Sequence, residues 1–275
     1  MNNQGDHKVA HDIPDDPYKQ ADLDIRIWRY MSFVKFISLL ELKALWFSRL
    51  GALEDQFEGT LPKGTRTKMI NNSKKWFETF PDPELQNQLL ESTDRNVDDG
   101  RCTTMVNCWY LGENESSYMW KNYAGDKNGI VIRSTVGRLR RSLWGDPKIL
   151  RIGKVEYIYF ETHDMSTYHG HQAGKRALLK HVKYQDEKEL RVITHNDVTM
   201  DCLNPDGTEM SDRQKQGPGR FDPKRPGLYV KVQPHLLIES VFVAPNSSGW
   251  FLDLVKRIIL RYEIDVPVQF SQINQ

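Results

Sequence analysis

Glu187-Lys188-Glu189-Leu190-Arg191-Val192-Ile193 sets two carboxylates and a guanidinium at alternate positions. On a strand, side chains alternate, so Glu187, Glu189 and Arg191 share one side while Leu190 and Val192 point to the other. Two carboxylates beside a guanidinium can bind polarised hydroxyls. One Glu can act as a base or brace an oxocarbenium-like centre. A solvated strand face with cross-strand salt bridges uses the same residues, and taken alone the segment fits that plainer use better.

Three other stretches carry candidate residues. In Glu115 to Gly125, Trp120 and Tyr123 are three apart and share one side of a short helix. Such aromatics can stack on a flat ligand or fill core. Core is the stronger reading for Trp120, whereas the Tyr123 hydroxyl needs a polar partner if buried. Arg29, in Trp28-Arg29-Tyr30, is a cation amid apolar residues, expected to be paired, to face an anion, or to lie at the surface with its stem on Trp28. Trp46-Phe47-Ser48, running into a turn with Asp55 and Glu58, can shape a pocket wall, although for Glu58 a capped loop is the preferred reading.

Weaker signals exclude more than they suggest. His163, His169 and His171 lack acidic or thiol ligands at metal-site spacing, so no metal is expected. Arg138, Arg140 and Arg141, with Lys148 and Arg151 beyond, read as a solvated basic face. Walker A, Gly-x-Gly-x-x-Gly, Gly-x-Ser-x-Gly and His-Glu-x-x-His patterns are missing, which disfavours P-loop hydrolases, Rossmann dehydrogenases, α/β-hydrolases and zincins. The formal net charge of +1 gives no global attraction to nucleic acid or membrane. Cys102, Cys108 and Cys202 are too few and too scattered for a disulfide framework. With no apolar leader and no membrane-length apolar run, a cytoplasmic protein is expected.

The elements that must position these residues alternate irregularly. Residues 1–22 read as a flexible leader and 23–275 as one domain. Ile25 to Tyr30 alternates as a strand, Ser32 is an N-cap candidate, and Phe33, Phe36, Ile37 and Leu40 follow at helical spacing. Further strands are expected at 44–48, 105–109, 129–132, 154–159, 187–193, 228–232, 238–244 and 266–270. Helical patterns cover 65–93, 115–123, 136–143, 174–184 and 249–262, and Asp98-Asp99-Gly100 reads as a turn. The segment 204–227, rich in Gly, Pro and charge and holding Arg213, Lys215, Arg220, Lys224 and Arg225, is expected to be a loop or lid. Without a regular βαβ rhythm, the fold class is α+β: mixed, mainly antiparallel sheets with flanking helices.

The order Trp28-Arg29-Tyr30, Leu45-Trp46-Phe47-Ser48, Asp55-x-Phe57-Glu58-Gly59, Met119-Trp120-x-x-Tyr123-Ala124, Gly129-x-x-Ile132 and Glu187-x-Glu189-x-Arg191 resembles an uncharacterised bacterial family, domain of unknown function twenty-nine seventy-one. The likeness runs from about Ile25 to Ser271, including Val241-x-Val243-Ala244-Pro245, and brings no established activity. More distantly, Cys108-Trp109, Ser117 to Tyr123, Gly125 and Gly129 to Ile132 look like the middle piece of the ADP-ribosyltransferase fold. That likeness implies NAD as substrate. It places Arg29 on the NAD phosphates or ribose, Tyr123 against nicotinamide, and Glu189 as the catalytic carboxylate with Glu187 beside it, although the two could exchange roles. Ser48 and Trp120 join the residues expected to contact NAD. A Ser-Thr-Ser strand motif is lacking, and Arg29 stands where many such proteins have His. The implied activity is ADP-ribosyl transfer or NAD cleavage by a toxin or anti-phage effector, with a protein or nucleic-acid acceptor. Two other readings stay open: a nucleic-acid-processing or nucleic-acid-binding effector in which Glu187, Glu189 and Asp55 hold a divalent ion, and a non-catalytic interaction module.

Overall fold

Ser32 sets the first boundary, as expected. Its hydroxyl accepts a hydrogen bond from Lys35 N at 3.4 Å and caps α1 (Phe33–Leu42), which follows β1 (Arg26–Ser32). Phe36, Leu39 and Leu40 are the buried stripe of α1, and Lys43, at φ 46°, turns the chain into β2 (Ala44–Arg49). The structure is a computed structural model describing residues 22–125, 127–146, 150–165, 172–195 and 226–273, with side chains of 92–100 and 172–173 left out. The chain continues through α2 (Lys63–Phe77), α3 (Pro83–Thr103), β3 (Thr104–Leu111), α4 (Ser117–Met119) with a π turn (Trp120–Ala124), β4 (Gly129–Thr135), α5 (Val136–Ser142), β5 (Arg151–Lys154) and β6 (Glu156–Ile158). It ends with α6 (Gln172–Arg176), β7 (Leu179–His181), β8 (Glu189–His195), β9 (Gly227–Lys231), α7 (Pro234–Leu237), β10 (Ser240–Val243), α8 (Gly249–Arg261) and β11 (Val268–Phe270).

The architecture is α+β. Nine strands make one sheet, ordered β11-β10-β4-β1-β3-β2-β9, with β8 against β3 and β5 beyond it. Within that sheet β10 and β11 run parallel, and the other pairs are antiparallel. A separate parallel pair, β6–β7, lies off the sheet. One face buries Ile27, Trp109, Ile132, Leu190 and Val192 against Phe36 and Leu40 of α1, Leu139 of α5 and Phe251 and Val255 of α8. On the other face, Trp28, Tyr30, Tyr110, Val131 and Phe242 pack under Met119, Trp120 and Ala124.

The sheet forks at β3. One edge of that strand pairs with β8 from Thr104 to Tyr110. The opposite edge is shared: β2 pairs at Met105 and Val106, β1 at Tyr110 and Leu111, and residues 107–109 between them face neither strand. Backbone groups left in such a gap must find other partners. Side chains supply them. Asn107 Nδ2 donates to the Trp46 carbonyl at 2.8 Å, and the Arg29 guanidinium donates to the carbonyl of Cys108. Asn107 Oδ1 also accepts from Trp109 Nε1 at 2.7 Å, so one buried amide ties β2 to β3 and fixes the central indole.

Several expectations are corrected. The helical pattern at 174–184 gives only α6, then β7 and a 3-10 turn (Val182–Glu187), because Leu179 and Lys180 are drawn inward and 179–181 pairs with β6. Asp98-Asp99-Gly100 is not a turn but part of α3, which runs unbroken over α2; a glycine costs a helix only about 1 kcal/mol. The strand expected from Glu187 begins at Glu189, since Lys188 adopts φ 40°. The leader up to Ala21, Lys148, His169, His171, Cys202 and 204–225 lie outside the described residues. No helix among those described is long and apolar enough to cross a membrane.

The fork makes Asn107→Ala costly, because it strands the Trp46 carbonyl and the Trp109 indole N–H in the core. A loss of roughly 2–4 kcal/mol is expected, seen as a fall of several degrees in Tm by differential scanning calorimetry. An unchanged Tm would mean that the fork is closed by other contacts.

Candidate functional site

Arg191 is fully buried in the middle of β8, on the sheet face opposite Leu190 and Val192. A guanidinium without water must have each donor answered, and the neighbouring elements supply the acceptors. Nη1 and Nη2 form a two-pronged pair with Glu58 at 2.7 and 2.8 Å. Nε donates to Glu189 Oε2 at 2.7 Å, and Nη1 also donates to the Ala177 carbonyl at 2.8 Å. Glu58 reaches this point from the turn after β2. Gly59 takes φ 73° there, and a Cβ at that position would come within 2.5 Å of Leu50 Cδ2.

Lys180 brings in the second carboxylate pair. From β7 its Nζ contacts Glu187 Oε2 at 2.5 Å, bonds Glu189 Oε1, and stands 3.4 Å from Glu58 Oε1. Tyr123, from the π turn after β3, donates to Glu187 Oε1 at 2.7 Å. Its ring is 45% exposed, so it covers an otherwise buried carboxylate. Tyr157 of β6 accepts from Glu189 N at 2.8 Å. Five separate parts of the chain therefore converge on one cluster.

The two carboxylates of Glu187-x-Glu189 are electrically unequal. Burial disfavours charge on Glu189, but Arg191, the hydrogen bond from Glu187 and Lys180 outweigh it and hold its pKa well below the usual range. Burial raises Glu187, and its hydrogen bond with Glu189 adds to that, lifting its pKa to about 7 despite Lys180. Lys180 and Arg191 lose by burial but are held charged by the surrounding carboxylates, Glu189 first. Near neutrality the pair thus offers one fixed anion and one group that readily gains or loses a proton, an arrangement suited to acid–base chemistry.

Of the residues singled out by sequence, Glu187, Glu189 and Tyr123 meet directly. Arg29 is half-buried in the fork, its guanidinium 5.9 Å from the Trp109 ring centroid; burial lowers its pKa, while Cys108 and Glu189 act to raise it. Ser48 is half-buried on β2, opposite Val106 and Gly227, away from the carboxylates. Trp120 is core: 6% exposed, edge-on to Tyr30 at 5.6 Å, with Nε1 donating to Glu115 at 2.8 Å. It positions the turn bearing Tyr123 and does not face the cluster. Glu58 is no surface cap, but the main partner of Arg191. Lys180 and Tyr157 escaped notice because Lys180 sat in an apparently helical stretch and Tyr157 in an ordinary alternating strand.

Asp55 does not join Glu187 and Glu189. Its Oδ1 accepts from Phe57 N at 3.2 Å within the turn. Among the described residues no group of His, Cys, Asp and Glu is arranged to hold a metal ion, and the space between Glu58, Glu187 and Glu189 is taken by the Lys180 ammonium.

No family model and no curated protein matches the chain. Solved structures similar to it include Thermus sp. 2.9 DarT in complex with NAD+, at 10% identity and TM-score 0.38, covering 93% of this chain and 98% of that one. The same protein in complex with carba-NAD+ gives 12% identity and TM-score 0.34, covering 93% and 97%. In complex with ADP-ribosylated ssDNA it gives 11% and 0.37, covering 90% and 94%. A likeness at this level assigns no role to any residue.

Arg191→Met leaves Glu58 and Glu189 buried without their main counter-charge and is expected to cost about 3–5 kcal/mol, read from the urea midpoint. Glu187 gives a pH signature of opposite sign to an ordinary salt-bridged carboxylate. Its pKa is about 7 in the fold and about 4.3 when unfolded, so the stability it contributes is present below the unfolded value and lost as pH rises through 7. Wild type should lose about 1–3 kcal/mol relative to Glu187→Gln between pH 5 and 8. Parallel pH profiles for the two proteins would contradict the assignment.

Proposed function

We propose that this chain cleaves the nicotinamide–ribose bond of NAD and passes ADP-ribose to an acceptor, in the manner of an ADP-ribosyltransferase. The observation that carries the reading is the junction of Tyr123 with the unequal pair Glu187 and Glu189, beside a fork holding Arg29. Apart from its bond to the Cys108 carbonyl, the Arg29 guanidinium has donors to spend on a phosphate or ribose hydroxyl. The half-exposed Tyr123 ring offers a stacking surface for nicotinamide, and Ser48 stands across the fork as a further contact.

Cleavage breaks the bond from ribose C1′ to the nicotinamide nitrogen. Both bonding electrons leave with nicotinamide, which departs neutral, and the ribose becomes oxocarbenium-like. Glu189, kept ionised by Arg191 and Lys180, supplies fixed negative potential to that centre. Glu187, uncovered when Tyr123 turns aside, accepts a ribose 2′-hydroxyl hydrogen bond or the acceptor's proton. The bond from C1′ to the acceptor then forms. The acceptor is a macromolecule, protein or nucleic acid, or water. An activity that consumes NAD suits a bacterial toxin or anti-phage effector acting in the cytoplasm.

The test is incubation of wild type, Glu187→Gln, Glu189→Gln and Tyr123→Phe with labelled NAD and cell extract, scoring released nicotinamide and transferred label. Each Glu variant is expected to lose at least about 100-fold, and Tyr123→Phe about 10-fold. Wild type that releases no nicotinamide, or Glu variants as active as wild type, would remove the proposal.

A further inference from the structure

Glu115 is a half-buried carboxylate that forms no ion pair among the described residues, although two guanidiniums share its surroundings. Arg26 pairs with Glu113 and Arg133 with Glu239, and Glu115 turns instead to neutral donors. Its Oε2 accepts from the Trp120 indole at 2.8 Å and from the Ser271 hydroxyl at 2.5 Å. Its Oε1 accepts from Gln272 N at 3.3 Å. Three donors gathered on one side chain call for a group that only accepts, and an amide would set its own N–H against one of them.

These bonds join segments 156 residues apart in the chain. Ser271 follows β11 at the sheet edge, is buried, and donates from its N to the Val243 carbonyl at 2.9 Å. Ile273 beyond it packs against the group of Trp28, Tyr30 and Trp120. At the other end, Ser116 caps α4 by accepting from Met119 N at 3.3 Å, and its own N donates to the Tyr30 hydroxyl at 2.7 Å. The turn that follows is π-helical from Trp120 to Ala124. On an α-helix Trp120 and Tyr123 would share a side. The wider π turn sends the indole into the core and the phenol to Glu187. Single π turns are rare in proteins, so this one depends on the side chains that anchor it.

We infer that Glu115 is a positioning residue for the carboxylate cluster: by gripping Trp120 and Ser271 together, it ties the C-terminal segment to the π turn and keeps the Tyr123 hydroxyl on Glu187. None of its own bonds reaches Glu187 or Glu189, so its effect on them passes through Tyr123. Its influence on the proposed chemistry rests on the NAD reading above, whereas its hold on Tyr123 does not.

The test uses the full chain as Glu115→Gln, Ser271→Ala, Tyr123→Phe and the double variant Glu115→Gln/Tyr123→Phe. Ser271→Ala removes one donor with little change of volume, and serves where Glu115→Gln does not fold. The Tyr123 phenol is held well above the usual tyrosine range by burial and then by its hydrogen bond with Glu187. In Glu115→Gln and Ser271→Ala, an ultraviolet difference titration is expected to show one more phenol ionising near the ordinary value of about 10. That signal is lost again in the double variant. Nicotinamide release should fall about 10-fold in kcat for Glu115→Gln, and less than about 2-fold when the same change is made in Tyr123→Phe. A purely structural Glu115 would lower Tm and leave the phenol titration as it is in wild type. The proposal is overturned by that result, or by an equal loss of kcat from Glu115→Gln in both backgrounds. If wild type releases no nicotinamide, the NAD reading falls, and the phenol titration alone decides the role of Glu115.

Discussion

A guanidinium without access to water sets the terms for this structure. Arg191 is on a central strand, on a face that elsewhere packs Ile193 and Val106, and its charge can be kept there only by carboxylates brought from elsewhere. The turn holding Glu58 must therefore close over the sheet, and Glu189 must precede Arg191 by two residues to share its face. Three carboxylates in one dry space would repel, and Lys180 from β7 lowers that cost. The off-sheet pair β6–β7 is held where it is partly by that demand, which also explains why a helical-looking stretch became strand.

The charge balance has a chemical consequence. Arg191 and Lys180 both grip Glu189, whereas Glu187 is held by Lys180, a tyrosine hydroxyl and its hydrogen bond with Glu189. Identical side chains two residues apart consequently differ in protonation: one is locked as an anion, and the other titrates near neutrality. Cys108, opposite Arg191, is pushed up to about 12, chiefly by burial, and so contributes no nucleophile. Within this cluster the carboxylate that titrates near neutrality is thereby the one beneath Tyr123.

The fork at β3 answers a different need. A continuous ladder would have closed the gap between β1 and β2 and left no place for the Arg29 guanidinium at the Cys108 carbonyl. Splitting the edge of β3 between two strands opens that place, and Asn107 and Arg29 bond backbone carbonyls left beside it. The Arg29 side chain is thus part of the scaffold and, by its remaining donors, part of the proposed site.

What the sequence determined alone is local. Alternation placed Glu189 and Arg191 on one face with Leu190 and Val192 on the other, Ser32 marked a cap, and irregular element order implied α+β; the shared side expected of Trp120 and Tyr123 did not hold, because a π turn sends Trp120 into the core and Tyr123 to the cluster. These rest on periodicity and on contacts within a few residues. The partners of Arg191, the inward turn of Glu58, the strand at Lys180 and the fork that holds Arg29 were decided by tertiary structure. Each is a compensation for burial, and the need for it appears only once segments far apart in sequence exclude water from a shared space.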